Sequence, residues 1–121
     1  MIPGQRPVAV GEQVRRLLGP ALLHEINDPR LRRLTVSEVV MSRDLKHATV
    51  YVISAETPDS RRRAEIEAGF VRSTPFFRRL IGDRGGLRYV PKLRFVLDDT
   101  EDRAERIESL LETSTRAKTA P

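Results

Sequence analysis

The side chains with the most chemistry to offer are arginines. Arg61, Arg62, Arg63, Arg72, Arg78, Arg79, Arg84 and Arg88, with Lys92 and Arg94, fall within residues 60–97, ten cations against three acids and a net charge of +7. The flanks differ: residues 1–59 carry net +1 and residues 98–121 net −3. A cationic segment so poor in acids suits a polyanion, and guanidinium groups pair with phosphate oxygens through two parallel hydrogen bonds. Arginine outnumbers lysine 19 to 3. A GC-rich coding bias explains that ratio, but it does not explain the clustering. The aromatic residues available for stacking, Phe70, Phe76, Phe77 and Tyr89, are few and read mostly as core. Recognition through phosphates and shape is therefore expected rather than base stacking.

Other chemistries find no support in the residues. The chain has no cysteine and only two histidines, which argues against thiolate, zinc and haem sites. Ser42, Asp44 and His47 are close in sequence but crowd one hairpin turn, without the separate base, nucleophile and oxyanion donors of a triad. The pairs Asp98-Asp99 and Glu101-Asp102 read as helix caps rather than metal ligands. There is no phosphate-binding glycine loop of the Walker or dinucleotide type. No enzyme, cofactor, metal or small-molecule substrate is expected. No apolar run approaches the roughly 18–20 residues that span a membrane, and no signal peptide is apparent at the N-terminus. A soluble cytoplasmic protein follows as the expectation.

The elements that must position these cations follow from periodicity and punctuation. Val14, Leu17, Leu18, Ala21, Leu22 and Ile26 predict a helix over 10–26, kinked at Gly19-Pro20 and stopped at Asn27-Asp28-Pro29. LTVSEVVM (34–41) and HATVYVISA (47–55) predict two strands joined in a hairpin by Ser42–Leu45. Thr57–Ser60 starts a helix over 60–72, and Thr74-Pro75 starts a second over 75–81, ended by Gly82. LRYVPKLRFVLD (87–98) is the third strand, with Pro91 marking an edge, a beginning or a bulge. Asp98, Asp99 and Thr100 cap a last helix on Ala104, Ile107, Leu110 and Leu111, and residues 114–121 read as a disordered tail. The 121 residues predict one α+β domain over 1–113, a three-stranded sheet with its helices on one face.

Two glycine features bear on function. Gly82-Asp83-Arg84-Gly85 matches the GxxG loop that clamps a nucleic-acid backbone in KH domains. The next strand follows too closely for a helix after it, so it reads as a helix end and turn. Gly69 sits in helical sequence, AEIEAGFVRST (64–74), at a cost of about 1 kcal/mol relative to alanine. It reads as a junction where backbone or a phosphate approaches closely, with packing against the sheet as the main cause.

The stretches EINDPRL (25–31), LTVSEVVMSRDLKHATVYV (34–52), AGFVRS (68–73) and LRYVPKLRFVLDDT (87–100) together resemble the ribosome-binding factor A family, over roughly residues 5–112. DPRL, SRDL and the Arg88-to-Phe95 pattern R-x-VP-x-L-x-F in this order are jointly specific. The resemblance implies a type-II KH-like fold of order α-β-β-α-α-β, in which an interhelical Ala-x-Gly kink replaces the GxxG loop. That kink falls at Ala68-Gly69, with Glu67 where the family has alanine. Pro20 is unusual for the family's first helix. The resemblance further implies a non-enzymatic assembly factor, monomeric off the ribosome. Such a factor binds the immature 30S small ribosomal subunit, assists maturation of 16S rRNA near its 5′ end, notably in the cold, and leaves before translation. The residues alone leave open a generic KH-like nucleic-acid-binding module, or a protein-interaction domain that uses the acidic last helix.

Overall fold

The computed structural model describes residues 5–98, with Gln5 as backbone only. The chain forms α1 (Gln5–His24), a 3₁₀ turn (Pro29–Leu31), β1 (Leu34–Met41), β2 (His47–Ser54), α2 (Ser60–Arg84) and β3 (Lys92–Leu97). The sheet order is β1-β2-β3, with β1 and β2 antiparallel and β2 and β3 parallel. Parallel pairing of β2 and β3 requires a crossover, and α2 is that crossover.

Each strand turns most of its apolar residues to the face that carries both helices. Ala48, Val50 and Val52 of β2 are buried there. In β1 the buried residues are Leu34, Val36, Val39 and Met41, whose spacing slips by one between Val36 and Val39. A register shift between Val36 and Glu38 absorbs the slip. The extra residue of a bulge keeps both halves of the strand facing the core. Beside it, α1 lies so close that a Cβ on Gly11 would stand 2.6 Å from the Val39 carbonyl oxygen.

α1 begins earlier than the apolar spacing predicts and ends at His24 rather than residue 26. It runs through Pro20 because both Pro20 and Arg16, whose carbonyl loses its donor, are exposed, and water replaces the missing bond. The stop at 27–29 is as expected. Asp28 caps the 3₁₀ turn by accepting from the Arg30 backbone N–H at 3.0 Å.

The middle of the chain differs from expectation. One helix of 25 residues replaces the two expected over 60–72 and 75–81. Ile66, Gly69, Phe70, Ser73, Phe77, Leu80 and Ile81 keep a single buried face across Pro75, and a break there would take Phe77 out of line with Phe70. The Thr74 hydroxyl does not cap a new helix; it donates back to the Phe70 carbonyl at 2.7 Å. The carbonyl that Pro75 deprives is that of Val71, whose residue is exposed to water. Gly82 lies within the helix. Gly85 caps it, with its N–H on the Ile81 carbonyl at 2.7 Å, and Gly86 follows at φ +64°. The GxxG match is thus the last turn of a helix, as its spacing suggested.

β3 starts at Lys92, five residues later than expected, because residues 87–91 form an irregular lead-in. Leu93, Phe95 and Leu97 face the helices, and Phe95 stacks on Phe70 with centroids 4.3 Å apart and planes within 6°. The expected last helix and the tail at 114–121 lie outside the described residues.

Candidate nucleic-acid interface

α2 carries most of the predicted cations, and its helical phase sorts them. Arg61, Arg72 and Arg79 are exposed. Their spacings of 11 and 7 residues return to within about 20° of one azimuth, some 16 Å and 10 Å apart along the axis. They form one stripe on the face turned from the sheet. Arg72 and Arg79 make no ion pair among the described residues. Arg61 stands 3.6 Å from Glu65 but is 90% exposed, so this pair yields readily to a phosphate.

The other predicted residues do not share that stripe. Arg62 is a strap: its guanidinium donates to the Arg30 carbonyl at 2.7 Å and the Arg32 carbonyl at 3.0 Å, tying the start of α2 to the turn after α1. Arg78 reaches the Pro91 carbonyl at 3.3 Å and that of Val90 at 3.4 Å, holding the lead-in to β3. Arg63 is half-buried and engaged with a neighbour. Arg84 lies 3.6 Å from Glu25. The Arg88 guanidinium sits 5.5 Å from the centroid of the Tyr89 ring. Lys92 and Arg94 alternate with Leu93 and Phe95, and so belong to the sheet face turned away from the helices. The ten cations therefore occupy several surfaces.

The structure adds residues that charge counting missed. The turn between α1 and β1 brings Arg30 and Arg32 against the first half of α2, where Arg62 holds both carbonyls. Arg32 is exposed with no ion pair among the described residues. The local run DPRLRR was the available signal. It was diluted in a segment whose acids balance its bases. Asp28 holds Arg30 in place: Oδ1 accepts from Arg30 Nε at 3.0 Å and Oδ2 from a terminal guanidinium nitrogen at 2.7 Å. The Arg30 hydrogen bonds, helped by the nearby Arg72 charge, lower the Asp28 pKa to about 2.

Gly69 is where this turn meets α2. A Cβ there would stand 2.8 Å from Leu31 Cδ2 and 3.3 Å from Arg30 Cβ. Close approach is therefore the reason for the glycine, as expected, but the neighbour is the 3₁₀ turn and not the sheet. Its φ lies outside the left-handed region, so no unusual backbone angle is involved. Beside this contact a groove of about 610 Å³ opens between residues 25–30 and the side of α2 that carries Arg72, Ser73 and Phe76. Among the described residues no cluster of acids, histidines or cysteines could hold a metal, and no helix is long and apolar enough to cross a membrane.

Comparison with known proteins points one way. A sequence model of the family described as ribosome-binding factor A matches residues 6–111. Ribosome-binding factor A of Alkalilimnicola ehrlichii is 40% identical over 103 residues, covering 85% of this chain and 78% of that one. The solution structure of a Thermotoga maritima protein described as a ribosome-binding factor A is 32% identical with a TM-score of 0.68, covering 83% of this chain and 93% of the other. A homology model of the Thermus thermophilus factor, fitted into the cryo-EM map of its complex with the 30S subunit, is 27% identical with a TM-score of 0.58, covering 74% of this chain and 92% of the other.

Proposed function

The chain belongs to the ribosome-binding factor A family, and we propose that it binds the immature 30S subunit in the cytoplasm and assists maturation of its 16S rRNA, 5′-end region and cold conditions included. The observation that carries this reading is the stripe of Arg61, Arg72 and Arg79 along α2, flanked by Arg32. These exposed guanidinium groups lie on a rigid helix, with two of the three free of ion pairs among the described residues. Such groups can take phosphate oxygens without first breaking a strong contact, and phosphate contacts fix register on a folded RNA. The family's binding role and the fitting of a relative into a 30S complex agree with it.

No step of this activity calls for a nucleophile, a general base or a cofactor. The protein acts by occupying rRNA while the subunit matures, and not as an enzyme. Sedimentation of cell extract on a sucrose gradient tests the reading. The protein should travel with free 30S subunits and be scarce on 70S ribosomes and polysomes. Equal or greater amounts in the polysome fractions would refute the assembly role.

A further inference from the structure

The groove beside Gly69 is lined by groups whose charges are already balanced, with one exception. Asp28 is held by Arg30 through contacts of 3.0 and 2.7 Å, and Glu25 faces Arg84 at 3.6 Å. Arg72 alone brings a charge with no ion-pair partner among the described residues. An anionic ligand is therefore attracted to the mouth, although two of the lining residues are acids. Phe76 forms part of the wall. It is half-buried, braced edge-on by Phe77 at 5.6 Å, so the ring is held in place while part of it stays open. Asn27, exposed at the rim, offers an amide with both a donor and an acceptor. The volume of about 610 Å³ falls in the range of small-ligand sites.

An aromatic wall, an amide at the rim and a guanidinium that has no ion pair among the described residues and is shared with the α2 stripe make a definite combination. We propose that this groove takes one unpaired nucleobase of the RNA whose phosphates lie along α2. Arg72 holds the phosphate of that nucleotide, the base lies against Phe76, and the Asn27 amide meets the edge of the base. Nucleobases splayed from single strands are recognised by this pairing of stacking with edge hydrogen bonds. The site departs from the sequence expectation, in which the four aromatic residues read mostly as core and recognition through phosphates and shape is preferred to base stacking. It rests on the RNA-binding reading above and makes it more specific, since a groove for a base demands an unpaired stretch of rRNA rather than a continuous duplex.

The test compares two probes of equal length and charge, an oligouridine and the same sugar-phosphate chain without bases. Wild-type protein should prefer the oligouridine about tenfold, the effect of one stacked base. Both probes should share one salt slope, because that slope counts phosphates. Phe76→Leu should bring the preference close to one, and Asn27→Ala should reduce it about threefold. Circular dichroism checks each fold; if Phe76→Leu does not fold, Asn27→Ala, at an exposed position, decides alone. A wild-type protein that binds both probes equally overturns the base site and leaves phosphate binding standing. A preference unchanged in the folded variants does the same. Failure of both probes to bind at low salt overturns the RNA-binding reading and the base site together.

Discussion

Replacing Gly69 by alanine measures how tightly the 3₁₀ turn is seated on α2. The new methyl would stand 2.8 Å from Leu31 Cδ2, 3.1 Å from Leu31 Cγ and 3.3 Å from Arg30 Cβ. Leu31 is only 3% exposed, so its side chain has no open space to swing into. Either the turn lifts from the helix by several tenths of an ångström, or Leu31 leaves its preferred rotamer. Overpacking of this kind costs about 1–3 kcal/mol. Against it stands the gain of about 1 kcal/mol from replacing glycine by alanine inside a helix. The net expectation is a loss of about 1 kcal/mol. In a Leu31→Ala background the two closest atoms are gone, and the same substitution should be neutral or stabilise by up to about 1 kcal/mol. Urea melts of the four proteins give the coupling, expected at about 1–2 kcal/mol. If Gly69→Ala stabilises equally in both backgrounds, the close approach has no energetic weight and the account of this glycine is wrong.

Arg62→Ala should destabilise the fold by about 1–2 kcal/mol, because it removes two hydrogen bonds from a charged donor, the one to the exposed Arg32 carbonyl being partly replaced by water. A urea melt reads the loss, and the salt slope of RNA binding should match wild type. Asp28 titrates near 2 in the folded chain, below the value of about 4 for an unperturbed aspartate. A depressed carboxyl pKa stabilises the fold above the unfolded value, and that stability drains away as pH falls from about 4 to 2. Asp28→Asn should therefore be less stable than wild type at pH 7, with the gap closing toward pH 2 in thermal melts at stepped pH.

Much of this architecture was legible because it is written locally. Alternation in residues 47–55 and 92–97 marks strands with one apolar face, and Asn27-Asp28-Pro29 stops α1 by local sterics. Legibility failed where local and tertiary preferences compete. Thr74-Pro75 has the chemistry of a helix start, yet Phe70 and Phe77 must both reach Phe95, and the unbroken period wins. The β1 bulge has no signal of its own in LTVSEVVM. It follows from the need to bury Leu34, Val36, Val39 and Met41 on one side. The proposed stripe was legible in part. Clustering of arginine on α2 pointed to Arg61, Arg72 and Arg79, whose exposure on one face the fold then adds. It did not separate them from Arg62 and Arg78, because a strap to a backbone carbonyl depends on residues 12 to 32 positions away. Gly69 drew attention as a costly helix residue, but its partner, Leu31, is distant in the chain.

The central claim is that the stripe on α2 binds rRNA phosphates of the 30S subunit. The most direct measurement is the affinity of the protein for purified immature 30S subunits across a series of potassium chloride concentrations. It compares wild type with a variant carrying Arg61→Ala, Arg72→Ala and Arg79→Ala together. These three side chains are exposed, so the variant should fold. Each lost phosphate contact should remove about 0.7–0.9 from the slope of log affinity against log salt. Binding should be weaker at low salt, with a slope shallower by about 2–3. A folded variant with unchanged affinity and unchanged slope would contradict the claim, and the stripe would then be no more than a solvated surface.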